Sequence, residues 1–476
     1  MTPTRFHPPG RLDVPALLAA TGGQLTAGPA NGTWTLCTDS REMRDGALFV
    51  ALRGDNFDGH RFVSDVLGRW KAGALVEEAP PAGVEAAGPV ILVSDSLVAF
   101  GAAAAAVLRQ HALPVAAVTG SVGKTTTRAM LASILECSAP GLCTEGNFNN
   151  RIGLPLTLLG LNSGHRWVVL EMGMSEPGEI RALAAIAAPT VRVITTVSAG
   201  HLEFFDSTSG IADAKGELFE SAGPGDTLIF PANQWFTERL PTPAGAQVVT
   251  FSTDGGSAAD LRLLDWEDRG LDGSRATVDL AGTRCEIALS IAGFHQIHNA
   301  LAAAGAALAM GASVAQIQEG LAAAQLPGRR MRIEEVAGVT VIDDAYNANP
   351  ASVSAALATL SGLDDKGRRI AVLGDMLELG PSAPSLHDEV GRAAAAAGID
   401  LLVGTGPLMA HAVTAAASAG IEAVAASDSV VAGQLLAARV SAGDVVLFKG
   451  SRGMKMELAI EALRPPNGLS APRSGN

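Results

Sequence analysis

The sequence predicts an α/β protein of three domains built on parallel sheets. Three observations predict it. Short β-branched runs alternate with alanine-rich helical stretches along nearly the whole chain, the pattern of strands joined by crossover helices. The 476 residues give ample chain for more than one core. The run Ala117-Val118-Thr119-Gly120-Ser121-Val122-Gly123-Lys124-Thr125-Thr126-Thr127 leads from an apolar segment through a glycine turn into a stretch carrying Met130, Leu131, Ile134 and Leu135. That reads as strand, tight turn and amphipathic helix start.

Punctuation places the boundaries. His111-Ala112-Leu113-Pro114 precedes the strand of the glycine turn, and Leu326-Pro327-Gly328-Arg329 follows a helical segment from Asn299 to Ala324. The expected domains are residues 1–110, 111–325 and 326–465, all of ordinary domain size. Residues 466–476, polar and rich in Pro, Gly and Ser, read as a disordered tail.

Composition excludes several classes. Against 48 acidic side chains stand 34 basic ones, a net charge of −14 with no Lys/Arg cluster to offset it, so nucleic acid and anionic membrane surfaces are not expected partners. An anionic substrate must be held by a few placed cations and backbone amides. The longest alanine-rich apolar runs, Leu97 to Leu108 and Gly391 to Gly398, are too short to span a bilayer. The first residues, Met1-Thr2-Pro3-Thr4-Arg5, carry no apolar signal core, which makes the cytoplasm the expected compartment. Four cysteines at unrelated spacings form neither a zinc pattern nor a disulfide framework.

The candidate polar residues share one position. Apolar runs end at Thr119-Gly120, at Glu171, and at Thr195-Thr196-Val197 shortly before His201. In the last domain they end at Asp343-Asp344, at Gly374-Asp375 and at Lys449. Each group falls just past the C-terminal end of an expected strand, the edge at which open parallel sheets bind ligands.

The glycine turn itself points successive N–H groups of Gly120, Ser121, Val122, Gly123, Lys124, Thr125 and Thr126, and a helix N-terminus, at one small volume that suits a phosphate chain. Lys124 adds a point charge and Thr125 a hydroxyl for Mg²⁺. The usual early glycine of the phosphate loop would fall on Val118, so this is the shorter T-G-S-x-G-K-T form. Glu171 suits the same Mg²⁺, or is a solvated strand-end acid. His201 and Lys215 decide nothing locally, since a lone His is commonly structural and a lone helical Lys commonly solvated. Gly293-Phe294-His295-Gln296-Ile297-His298-Asn299 offers polar groups for a purine edge, or only a helix cap. Asp343-Asp344-Ala345-Tyr346-Asn347-Ala348-Asn349-Pro350 holds the only tyrosine of the chain and more polar groups than a turn needs. Lys449-Gly450-Ser451-Arg452-Gly453 supplies two cations and a hydroxyl, with Arg452 suited to a carboxylate.

Taken in order, the loop, Glu171, His201-Leu202-Glu203, Lys215, the Gly-x-His-x-x-x-Asn segment and Asp344 resemble the ATP-dependent Mur ligases. Further motifs extend the resemblance from about Asp39 to Glu457. They are Asp39-Ser40-Arg41, Asn56-Phe57-Asp58-Gly59-His60, Gly146-Asn147-Phe148-Asn149-Asn150, Gly374-Asp375-Met376-Leu377-Glu378-Leu379-Gly380 with His387, and Lys449 to Glu457. Within the family they resemble the branch that joins D-alanyl-D-alanine to a UDP-MurNAc-tripeptide in peptidoglycan precursor synthesis. The alternative is the related branch that adds the third amino acid to a UDP-MurNAc-dipeptide; its Asp-Asn-Pro-Arg-like motif is not found in the last domain.

The resemblance implies a small α/β N-terminal domain for the UDP-sugar, a central P-loop-type parallel-sheet ATPase, and a C-terminal Rossmann-like domain for the dipeptide. It implies two Mg²⁺, one held by Thr125 and Glu171 and a second by His201 and Lys215, the lysine carrying a carbamate. Lys124 would contact the phosphates of ATP, Asn299 the adenine, and Asp344 the ribose or phosphates. Arg329 would reach the γ-phosphate, with Arg330 beside it as the other candidate. Ser40, Arg41 and Asn147 would serve the UDP-sugar; Tyr346, Asn347, Lys449, Ser451 and Arg452 complete the substrate set. The family also implies a monomer.

Overall fold

The computed structural model describes residues 10–54, 57–81, 83–200, 202–255, 258–363 and 367–464. Three large sheets carry the described chain. The first has six strands in the order Arg11–Asp13, Thr33–Cys37, Ala47–Val50, Gly73–Val76, Val90–Leu92, Gln24–Ala27. Its inner strands are parallel and its two edge strands antiparallel. The helix Ser96–His111 links it to the second sheet. Its apolar face, including Phe100, Ala103 and Val107, joins one buried cluster with Leu17 and Leu48 on one side and Leu154 and Ile180 on the other.

The second sheet has nine strands, with Val115–Thr119 between Val168–Glu171 and Val191–Ile194. Both neighbours come later in the chain, so the C-terminal end of Val115–Thr119 is a topological switch point, where a crevice opens. Register levels the three strand ends: Glu171 pairs with Val118, and Ile194 with Thr119. The sheet is parallel except at its far edge. Strands Leu261–Asp268, Ser274–Leu280 and Thr283–Leu289 form an antiparallel meander, because residues 269–273 and 281–282 are too short a link for a crossover.

The third sheet has six strands, all parallel except Arg332–Val336 at one edge. Val445–Lys449 lies between Val339–Asp343 and Arg369–Gly374, and pairing Asp343 with Phe448 sets Asp344 beside Lys449. The helices pack this sheet onto the second through shared apolar surface. One buried cluster runs from Met130 and Leu131 of the glycine-turn helix through Ile297 and Leu301 to Leu357 and Leu373. Removing such side chains from water, at roughly 25 cal/mol per Å², is what holds the polar strand ends of the two sheets face to face. Among the described residues the cysteines are free, and no helix is long and apolar enough to cross a membrane.

Candidate active site

Between the second and third sheets lies a cleft of about 480 Å³. Its floor is the glycine turn. Gly120 has φ +152°, and a Cβ there would stand 1.9 Å from Thr195 Oγ1; Gly123 has φ +88°, and a Cβ there would stand 2.2 Å from Asn299 Oδ1. Glycine is required at both positions by backbone and by space. The turn is laced to the next strand end: Ser121 N–H donates to Thr196 O at 2.8 Å, and Val122 N–H to Thr196 Oγ1 at 3.1 Å. The helix Lys124–Glu136 then begins, and its first N–H groups have no partner inside the helix.

Lys124 Nζ donates to Gly120 O at 2.8 Å. Burial pulls its ammonium below the ordinary lysine range, Glu171 opposes that, and the charge of Arg330 adds to it. Thr125 Oγ1 donates to Glu171 Oε2 at 2.7 Å, and Asn149 Nδ2 to Glu171 Oε1 at 2.9 Å. A hydroxyl and a carboxylate in contact beside a phosphate loop are hard oxygen donors that fit Mg²⁺, which completes its shell with water and phosphate. No group of three His, Cys, Asp or Glu side chains that could hold a metal occurs among the described residues, and such a cation does not need one. Lys215, in the helix Thr208–Glu220, faces the same cleft at 2% exposure. His201 lies outside the described residues.

The helix His295–Ala309 presents Asn299, whose Nδ2 donates to Gln296 Oε1 at 3.0 Å, while Gln296 Nε2 lies 2.8 Å from His295 Nε2. His295 is pushed down to about 4, by burial first, with Lys449 and His298 adding and Asp344 opposing. The opposite wall is the third sheet. Lys449 Nζ lies 2.6 Å from Asp344 Oδ2 and donates to Asn347 O at 2.9 Å. Asn349 Nδ2 reaches Ser121 O at 3.5 Å, so this wall touches the glycine turn directly.

Of the sequence candidates, Ser121 to Thr126, Asn147, Glu171, Lys215, Asn299, Asp344, Tyr346, Asn347, Lys449 and Arg452 line the cleft. Others do not. Gly120 is buried behind the turn. Ser451 Oγ accepts from Leu377 N–H at 2.9 Å and lies inside the fold at 4% exposure. Ser40 and Arg41 sit in the first domain, where Arg41 pairs with Asp39 at 2.6 Å. Arg329 turns away to Asp343 Oδ2 at 2.6 Å, whereas Arg330 lines the cleft and lies 3.7 Å over the Tyr346 ring. Arg452 lines the cleft with its Nη1 held 2.7 Å from Glu457 Oε1. The motifs single out neither Asn149 nor Arg128 as a site residue, and they give His295 only as one of several polar groups for a purine edge. Asn149 and His295 lay inside quoted motifs, and Arg128 follows Thr125 by the three residues that put two side chains on one helix face.

A phosphate loop at the switch point of one sheet, faced across a polar cleft by the strand ends of another, defines a nucleotide-dependent enzyme that holds a second reactant on a separate domain. The comparisons make that class specific. The Mur ligase middle domain matches residues 118–307, the Mur ligase glutamate ligase domain residues 328–452, and the Mur ligase family catalytic domain residues 35–122. The UDP-N-acetylmuramoyl-tripeptide–D-alanyl-D-alanine ligase of Escherichia coli is 35% identical, over 90% of this chain and 93% of its own. MurF from Acinetobacter baumannii superposes with a TM-score of 0.86 at 32% identity, over 95% of this chain and 98% of the other. MurF from Thermotoga maritima in complex with ADP gives 0.79 at 29%, over 90% and 96%. The chain belongs to the Mur ligase family.

Proposed function

We propose that the protein is the ATP-dependent ligase that joins D-alanyl-D-alanine to the terminal carboxylate of a UDP-MurNAc-tripeptide, with release of ADP and phosphate, in peptidoglycan precursor synthesis. The observation that carries this reading is the cleft itself, in which a phosphate loop meets the Asp344–Lys449 wall of a second domain. Relatives named for this reaction, matched over nearly their whole length, support it.

The tripeptide carboxylate attacks the γ-phosphorus of ATP, forming the O–P bond of an acyl phosphate as the bond to ADP breaks. The amine of D-alanyl-D-alanine then attacks the acyl carbon, loses a proton and expels phosphate as the amide forms. A free carboxylate has only oxide to expel, so phosphorylation supplies the leaving group. Residues of this chain position the reactants and offset charge. Lys124 leaves Gly120 O to take the phosphates, the Gly123 to Thr126 turn cradles them, and Asn299 contacts the adenine. Thr125 and Glu171 would hold one Mg²⁺, which when bound neutralises the β- and γ-oxygens. His201 and a carbamylated Lys215 would hold a second. Lys449, Tyr346 and Asn347 shape the wall for the acceptor, and Arg452, once released from Glu457, clamps a carboxylate. Ser40 and Arg41 of the first domain would bind the UDP-sugar, with Asn147 at the cleft end. The enzyme acts as a monomer. Closure of the third domain on the second excludes water from the acyl phosphate.

The test is phosphate release with each substrate omitted in turn. Release is expected only with ATP, UDP-MurNAc-tripeptide and D-alanyl-D-alanine together; release indifferent to the dipeptide rejects the assignment.

Arg330 rather than Arg329 takes the γ-phosphate in this reading. Arg330→Ala should raise the KM for ATP by about tenfold, the worth of one charge-assisted contact. Arg329→Ala should act through stability instead, because burial raises the Asp343 carboxyl and the charge of Arg329 is the largest influence opposing it, with Ala345 N–H helping. A thermal melt beside steady-state kinetics separates the two. An Arg329→Ala protein with an unchanged melt and a raised ATP KM reverses the assignment.

A further inference from the structure

Arg128 takes no part in the steps above, yet it is buried against them. It follows Thr125 on the same face of the helix Lys124–Glu136 and is 4% exposed. Its Nε stands 3.5 Å from Glu171 Oε2, the oxygen that accepts from Thr125. That Nε–H has no hydrogen-bond partner among the described residues. Nη1 reaches Cys143 Sγ at 3.6 Å, a weak acceptor. An unsatisfied buried guanidinium N–H is costly, and native proteins rarely keep one without reason.

The stand-off has a consequence. A bidentate arginine would occupy both oxygens of Glu171. Here Thr125 and Asn149 each donate to one oxygen, and Arg128 lends charge from 3.5 Å without a hydrogen bond from its Nε–H to Glu171. We propose that Arg128 is a positioning residue for a divalent-cation site at Thr125 and Glu171, a stand-off countercharge that compensates the empty carboxylate and loosens the hold on the cation once it arrives. This rests on the reading of Glu171 as a metal ligand. The guanidinium makes the buried Glu171 side chain tolerable before the nucleotide binds. With a dication ligated it becomes a like charge a few ångströms away, so the cation comes with the triphosphate and leaves with ADP. A purely structural arginine would show no such change of sign.

The test uses the full-length protein with ADP and Mn²⁺, following free Mn²⁺ by electron paramagnetic resonance rather than by turnover. Arg128→Gln should bind Mn²⁺ about tenfold more tightly than wild type, the scale of one like charge removed at that range in a partly screened site. Arg128→Lys, which keeps the charge, should stay within about twofold of wild type on the same reasoning. A folded Arg128→Gln protein with unchanged or weaker Mn²⁺ binding overturns the proposal. If Arg128→Gln does not fold, the neutral pair Glu171→Gln/Arg128→Met decides. Recovery of the fold supports compensation of Glu171, and continued failure overturns it. Glu171→Gln alone is the control on the underlying reading. If it leaves Mn²⁺ affinity at the wild-type value, the metal assignment falls and this inference with it.

Discussion

Lys215→Ala is expected to lower turnover by about a thousandfold, the scale seen when a main electrostatic support of a charged transition state is removed. Formate or acetate added to the assay should restore part of it. Lys215 projects from the helix Thr208–Glu220 into the cleft with 2% exposure. Burial, and then the charge of Lys124, hold its ammonium well below the ordinary lysine range. The sign matters. A lowered pKa favours the neutral amine, and the neutral amine is the nucleophile toward CO₂. In the proposed carbamate its lone pair forms the N–C bond, a proton leaves to solvent, and the side chain becomes an anion. A group that would repel both Lys124 and a cation then attracts both. Small carboxylates restore activity in Lys215→Ala because they supply the missing anion in the space left behind. Lys215→Arg keeps a cation of similar length that cannot be carbamylated, and should stay inactive without rescue. Full activity of Lys215→Ala in phosphate release would exclude the carbamate.

What the sequence made legible is what neighbouring residues decide among themselves. The phosphate loop can be read because two glycines, a lysine and a threonine must be consecutive to build it, and the space around Gly120 and Gly123 confirms the need. Glu171 can be read because its apolar strand ends where the acid begins. The polar strand ends follow from the same rule, and Glu171, Asp344 and Lys449 meet in one cleft, whereas Asp375 is buried and accepts from Met409 N–H at 2.7 Å. What sequence could not decide depends on register and on side-chain direction. Arg329 and Arg330 are adjacent and chemically alike. Which one enters the cleft was fixed by the buried Asp343, which takes the first and leaves the second to lie over Tyr346. Ser451 sits in a loop that reads as a binding loop, but its hydroxyl closes on Leu377 N–H inside the fold. The antiparallel edge of the second sheet escaped because β-branched runs look alike whichever way the next strand turns. Arg128 lacks any motif; only the packing of helix Lys124–Glu136 on strand Val168–Glu171 shows what it faces.

Lys449→Met should destabilise the protein by about 3 kcal/mol, read as a lowered urea midpoint, because it removes one partner of a buried ion pair and strands the other. Strand pairing forces the two together: Asp343 lies opposite Phe448, so the next residues, Asp344 and Lys449, emerge side by side at the strand ends. Lys449 is 3% exposed, and its Nζ is 2.6 Å from Asp344 Oδ2 and bonded to Asn347 O at 2.9 Å. With methionine there, the Asp344 carboxylate keeps the Met331 N–H at 3.3 Å but loses its countercharge. Against a typical domain stability of roughly 5–15 kcal/mol this is a large fraction. Asp344→Asn/Lys449→Met, which removes both charges, should regain more than half of the loss, since an unpaired buried charge costs more than a missing pair. The same double variant separates folding from function. It should be well folded yet poor in turnover, because both side chains line the cleft proposed to hold nucleotide and acceptor. A double variant as unstable as Lys449→Met would mean that the lysine acts through its bond to Asn347 O, and that the ion pair is not what holds this wall.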